Sequence, residues 1–89
     1  MSAIRKVHDR FAETVIDDEA VVMDLDSGQF YSLSGTALAV WRLVDGARGR
    51  SELIAELADR FGTRPAEIAA DVDAFLDELS DAGLICAGT

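Results

Sequence analysis

The spacing of the apolar residues changes at Ser34. Before it, residues 21–25 and 29–33 form two β-rich runs whose side chains alternate between two faces, as they do along a strand. After Ser34 the apolar residues recur every three or four positions, which is typical of amphipathic helices. Strands followed by a block of helices predict an α+β domain.

The two runs are joined by residues 26–28, Asp-Ser-Gly, which favour a three-residue hairpin loop because glycine accepts a positive φ. Pairing Leu25 with Gln29 divides the side chains between two faces. The predicted core face holds Val21, Met23, Leu25, Tyr31 and Leu33, and the other face holds Val22, Asp24, Phe30 and Ser32. Residues 13–16 supply a third strand, closed by an acidic turn at 17–19. This predicts a three-stranded antiparallel meander with residues 29–33 at an edge, unless residues 84–85 pair with them.

Three helices are predicted after the sheet. Each has a residue typical of a helix start and a glycine that ends it. In chain order these pairs are Ser34 and Gly46, Ser51 and Gly62, and Pro65 and Gly83. Their apolar stripes are Ala37, Leu38, Val40, Trp41 and Val44; Leu53, Ile54, Leu57, Ala58 and Phe61; and Ile68, Val72, Phe75, Leu76 and Leu79. The second and third helices, joined by a short turn and combined with a β-ribbon, predict a winged helix-turn-helix-like domain.

The sequence holds few residues suited to catalysis or metal binding. It has 89 residues, enough for one domain, and its single histidine and single cysteine, His8 and Cys86, lie at opposite ends of the chain. Structural zinc needs four ligands. An EF-hand-like start at Asp24 fails because Gly35 stands where the loop needs its twelfth ligand. We therefore predict no enzyme activity, no metal and no cofactor.

The N-terminal residues contain no apolar stretch typical of a secretion signal. The longest apolar runs, such as residues 37–41, are far shorter than the ~20 residues that cross a bilayer. We therefore expect a cytoplasmic protein without a membrane partner.

The charge balance narrows the class of partner. The chain has 17 acidic and 8 basic residues, a net charge of −9, and its third helix carries six acids between Glu67 and Asp81 without a base. Because phosphates would be repelled, we predict no nucleic-acid partner, and a winged-helix DNA-binding regulator is the weaker alternative. Residues 29–33 lack proline and charge, which normally protect a sheet edge. This favours strand addition by a peptide. Pairing with a second copy of the chain is another alternative.

Several segments, taken in order and spacing, resemble the PqqD-like family. They are VVMDLDSGQFYSL at residues 21–33, TALAVW at 36–41, VDG at 44–46, SELIAEL at 51–57 and FLDELSDAGLI at 75–85. The resemblance covers about residues 12–86, a single domain within the chain of 1–89. Two departures stand out: Ser34 replaces a common asparagine, and the hairpin lacks the Tyr-Pro-Glu stretch of the pyrroloquinoline quinone members.

The resemblance implies a RiPP recognition element, a non-catalytic adaptor. Such a domain binds the leader segment of a ribosomally made precursor peptide as an added strand, against the third helix. The implied peptide-binding residues are Gln29, Phe30, Tyr31, Ser32 and Leu33 of the edge strand, and Asp71, Ala74, Phe75 and Glu78 of the third helix. The adaptor then delivers the precursor to a modifying enzyme. The missing Tyr-Pro-Glu argues against pyrroloquinoline quinone as the product. A stand-alone domain of this kind is similar to those of split lasso-peptide systems, so the resemblance favours a cysteine leader peptidase over a radical-SAM protein.

Overall fold

The computed structural model describes residues 3–87. Its elements are β1 (Ile4–Lys6), a 3-10 turn (His8–Arg10), β2 (Phe11–Ile16), β3 (Glu19–Asp24), β4 (Phe30–Ser34), α1 (Gly35–Leu43), α2 (Arg50–Phe61), α3 (Pro65–Asp81) and β5 (Ile85–Ala87). Strands β2, β3 and β4 form an antiparallel sheet in that order, and the three helices follow. The predicted fold class, a three-stranded meander followed by three helices, is confirmed. Among the described residues, no helix combines the length and apolar character needed to cross a membrane.

The two ends of the described chain pair with each other. Arg5 lies opposite Cys86 and Lys6 opposite Ile85, in a two-stranded antiparallel sheet separate from the meander. The alternative in which residues 84–85 cover the edge strand is therefore wrong. The sequence does not predict this small sheet, because a three-residue strand is too short to show a recognisable alternation.

The pairing of β3 with β4 is shifted by one residue from the predicted register. Met23 lies opposite Phe30, and Val22 lies opposite Tyr31. Since successive side chains point to opposite faces, a shift of one residue exchanges the two faces of β3. Tyr31 and Leu33 pack on the core as predicted. The prediction that Val21, Met23 and Leu25 face the core is wrong. The residues of β3 that are buried on that face are Ala20, Val22 and Asp24.

Asp24, the last residue of β3, accounts for the shift. Its carboxylate accepts the N–H of Asp26 at 2.9 Å, and its carbonyl accepts the N–H of Gly28 at 2.7 Å. Gly28 adopts a φ of 76°, which a residue with a side chain rarely takes. These bonds start the turn one residue earlier than predicted. The connection between the two strands therefore spans residues 25–29 rather than three residues.

The Asp24 carboxylate makes stability depend on pH. The hydrogen bond from the backbone of Asp26 lowers the pKa of Asp24 below its ordinary value of 3.8. Its ionised form therefore stabilises the fold above a pH near that value, and this contribution is lost as the pH falls through the lowered pKa. We expect Asp24→Asn, which keeps an acceptor but removes the charge, to unfold at lower urea than the parent chain at pH 7. The difference in urea midpoint between the two chains should become smaller below a pH of about 4. A difference that does not change with pH would contradict this account.

Trp41 occupies the centre of the core beneath the sheet. Its side chain is fully buried and meets the ring of Phe11 edge-to-face, with ring centroids 5.0 Å apart. Its indole N–H donates to a carboxylate oxygen of Glu13 at 2.9 Å. The core around it contains Leu38, Val40, Leu53, Leu57, Val72, Leu76, Leu79 and Leu84. One layer of helices thus covers one face of the meander.

Two helix boundaries differ from the predicted ones. The N-cap of α2 is Gly49, not Ser51, because the Glu52 carboxylate accepts the Gly49 N–H at 3.0 Å and holds the first turn. Helix α1 ends at Leu43 rather than at Gly46, and the Arg48 guanidinium donates to the Leu43 carbonyl at 3.3 Å. The predicted start of α3 at a proline and the end of α2 at a left-handed glycine are confirmed.

Candidate functional site

Strand β4 forms one edge of the meander, and half of its backbone groups are available there. The Asp24 N–H donates to the Gln29 carbonyl at 2.8 Å, so this pair is a hydrogen-bonded one. Bonded and non-bonded pairs alternate along antiparallel strands, which directs the N–H and C=O of Tyr31 toward β3. Phe30 and Ser32 direct theirs to the open side, where no strand within residues 3–87 pairs with β4.

The side chains of the five predicted edge residues lie in different environments. Phe30 stands on the face of the sheet opposite the helices and is 65% exposed. Ser32 shares that face, and Gln29 is exposed just before the strand. Leu33 is 3% exposed and belongs to the core, against which Tyr31 packs. Only Phe30 and Ser32 combine an outward backbone with an accessible side chain.

Strand β2 forms the opposite edge of the meander and serves as an internal comparison. The Leu25 N–H donates to the Arg10 carbonyl at 2.9 Å, in register with the β2–β3 pairs. The same alternation therefore directs the N–H groups of Glu13 and Val15 away from β3. The chain has two edges with equivalent backbone geometry, and what lies beside each edge distinguishes them.

A groove of about 180 Å³ lies between α1 and α3. Its wall on α3 is formed by Asp71, Val72 and Phe75. Because α1 continues directly from β4, the groove begins where the edge strand ends. Asp71 and Phe75 were predicted site residues, and the structure brings them together here. Ala74 and Glu78 are exposed on α3 and do not line the groove.

The α1 wall of the groove consists of Thr36, Ala37 and Val40. From the sequence alone, Ala37 and Val40 belong to a core stripe and Thr36 only to the motif at residues 36–41. Thr36 and Ala37 are small and lie in the first turn of α1, close to the end of β4. Small residues in that position allow a second chain to approach closely, and this is the only sequence signal that marks them. Together these three residues make one side of the groove largely apolar.

Some acidic residues of α3 form ion pairs with an arginine, and others do not. Arg50 donates to carboxylate oxygens of Asp73 at 2.9 Å and of Asp77 at 3.0 Å. These two contacts raise the pKa of Arg50, the bond to Asp73 contributing most. In the described chain, Asp71 and Glu78 take part in no ion pair. Asp71 therefore places a free negative charge at the rim of the groove.

The histidine and the cysteine lie near the paired chain ends. His8 is in the 3-10 turn, with its ring 5.6 Å from that of Phe11, and Cys86 lies opposite Arg5. Within residues 3–87, no group of three or more His, Cys, Asp or Glu side chains is arranged to hold a metal ion. The arrangement at β4 and α3 offers hydrogen bonds, apolar contact and one carboxylate, which is the chemistry of binding.

Comparisons with known proteins agree with this arrangement. No curated protein matches the sequence. Among solved structures, the chain is similar to "TbiB1 in Complex with the TbiA(beta) Leader Peptide", with a TM-score of 0.79, 21% sequence identity and coverage of 91% of this chain and 93% of that one. At this identity the likeness shows the fold. Residues 19–85 match the family described as Coenzyme PQQ synthesis protein D (PqqD). This match spans most of the chain, which therefore belongs to the PqqD family.

Proposed function

We propose that this chain is a leader-peptide-binding adaptor, which holds the leader of a ribosomally made precursor along β4. The observation that carries the proposal is an open strand edge that runs into an apolar groove. Phe30 and Ser32 supply unpaired backbone groups at that edge, and α1 and α3 supply the groove. Main-chain hydrogen bonds give such a complex its affinity, and the groove gives it selectivity. The fold it shares with TbiB1, whose solved complex contains a leader peptide, supports this assignment.

The groove indicates which leader side chains fit. Val40 and Val72 are buried and form its floor, and Phe75 is partly buried beside them. An apolar leader residue placed there removes its own surface and that of Phe75 from water. Asp71 at the rim favours a lysine or arginine close to that residue. We therefore propose a leader motif that combines one apolar anchor with one neighbouring basic residue.

The other predicted residues act around this centre. Tyr31 and Leu33 hold β4 against β3 and the core, so they position the edge. Gln29, just before β4, offers its exposed side chain at that end of the edge. Ala74 and Glu78, exposed beside Phe75 on α3, contact a leader that continues along the helix.

The adaptor has no catalytic machinery in this proposal and delivers the bound precursor to a modifying enzyme. The hairpin lacks the Tyr-Pro-Glu stretch of the pyrroloquinoline quinone members. This absence argues against the pyrroloquinoline quinone pathway. Of the pathways that the family resemblance implies, we favour the lasso-peptide pathway, with its cysteine leader peptidase as that enzyme. A radical-SAM peptide-maturation protein is the alternative. Pull-down of each enzyme encoded beside this chain, with and without the precursor, distinguishes them.

Amide hydrogen exchange tests strand addition directly. We titrate the chain with the leader of the precursor encoded beside it and measure exchange by NMR. In the complex, exchange at Phe30 and Ser32 should slow by about tenfold or more, since a new strand accepts their N–H groups. Glu13 and Val15, on the opposite edge, should exchange as in the free chain. A bound leader without protection at Phe30 and Ser32 would show that strand addition is wrong, and a leader that does not bind would refute the function.

A further inference from the structure

The basic residues of this acidic chain fall into two groups. Four have carboxylate partners within ion-pair distance, and these are Arg10, Arg48, Arg50 and Arg60. Within the described part of the chain, Arg5, Lys6, Arg42 and Arg64 form no ion pair. Arg5, Lys6 and Arg42 surround the same pocket, so the free positive charge is concentrated at one place.

This cationic pocket has a volume of about 470 Å³ and is lined by Arg5, Lys6, His8, Arg42, Val44, Asp45 and Gly46. The Lys6 ammonium lies 4.5 Å from the centroid of the Trp41 ring, which fixes that side chain beside the core. The one carboxylate of the lining, that of Asp45, is held by Arg48 at 2.8 Å and by the N–H of Ala47 at 3.0 Å. The cations therefore dominate the field in the pocket.

The pocket is separate from the groove beside β4. Helix α1 has nine residues and is about 13 Å long. Thr36, Ala37 and Val40 of α1 line the groove, Arg42 lines the cationic pocket, and the two sets of lining residues have no member in common. A leader held along β4 leaves the cationic pocket open.

Two backbone N–H groups in the pocket are already engaged and cannot bind a compact anion such as phosphate. The N–H of Val44 donates to the Trp41 carbonyl, and that of Gly46 donates to the Ile4 carbonyl. Arg5 and Arg42, in contrast, are exposed and lie on different elements, β1 and α1. Spaced carboxylates fit this arrangement better than one small multivalent ion.

We propose that the cationic pocket docks an acidic segment of a partner protein. The surface outside the pocket carries an excess of acidic residues, since the chain as a whole has a net charge of −9, and this excess disfavours binding of such a segment elsewhere. Attraction at one place and repulsion elsewhere give an acidic partner a single docking orientation. If the partner is the modifying enzyme, that identification rests on the proposed function. The preference of the pocket for carboxylates is independent of it.

A titration with hexaglutamate peptide tests the pocket. With the full-length, isotope-labelled chain at about 0.02 M salt, where surface charges are weakly screened, we expect amide shifts confined to residues 4–8 and 42–46. Arg5→Glu and Arg42→Glu should each weaken binding about fivefold or more. Both side chains are exposed, so the fold should be retained, which circular dichroism checks.

Arg64→Glu is the matched control, because it makes the same charge change at an exposed, unpaired arginine outside the pocket. It should change the affinity less than about twofold. If Arg42→Glu and Arg64→Glu lower the hexaglutamate affinity equally, the affinity depends only on net charge and the proposal is wrong. Phosphate that binds as tightly as hexaglutamate would also overturn it. Leader affinity should be unchanged in Arg42→Glu. If no leader binds the parent chain, the adaptor function fails while the hexaglutamate result still decides the pocket.

Discussion

Ser32→Pro is expected to weaken leader binding by about tenfold or more while the domain stays folded. The Ser32 N–H points to the open side of β4, so proline there removes no hydrogen bond of the sheet. It removes a donor to the incoming strand, and the proline ring occupies the space where that strand would approach. Fluorescence anisotropy with a labelled leader measures the affinity, and circular dichroism checks the fold.

The two edges of the meander supply the control for this experiment. Val15→Pro removes an outward N–H from β2, the opposite edge, and should leave leader affinity within about twofold of the parent value. Tyr31→Pro should instead unfold the domain, because the Tyr31 N–H bonds β3. Equal losses of affinity in the Ser32 and Val15 variants, both folded, would contradict leader binding at β4.

Trp41→Ala is expected to lower the free energy of unfolding by about 3–5 kcal/mol. The substitution empties the centre of the core and removes the edge-to-face contact with Phe11. It also leaves the Glu13 carboxylate without its indole donor. Since small domains are stable by about 5–15 kcal/mol, this variant should be marginally folded. Urea unfolding must be followed by circular dichroism, because Trp41 is the single tryptophan of the chain.

Trp41→Phe separates packing from the hydrogen bond. It keeps an aromatic ring against Phe11 but donates nothing to Glu13, so it should lose roughly half as much stability as Trp41→Ala. An alanine variant within about 1 kcal/mol of the parent chain would mean that the surrounding core closes over the vacated space.

Apolar spacing predicts the three helices and the order of the strands, because many residues contribute to each pattern. It does not predict the β3–β4 register, since one carboxylate, that of Asp24, moves the start of the turn by a residue. The edge strand and its neighbour Phe75 were predicted, but the groove residues Thr36 and Ala37 were not. They become site residues through the way α1 packs against α3. Such packing depends on contacts far apart in the chain and leaves no local pattern.

The pairing of β1 with β5 has a mechanical consequence. Ile4 and Ala87 lie opposite each other, and paired residues in antiparallel strands are about 5 Å apart at their Cα atoms. The described chain is therefore nearly a closed ring. A force applied through its two ends would peel this ladder open one hydrogen bond at a time, instead of shearing all its bonds together. Tension on the two ends would thus separate β1 from β5 before it acted on the meander that carries the binding edge.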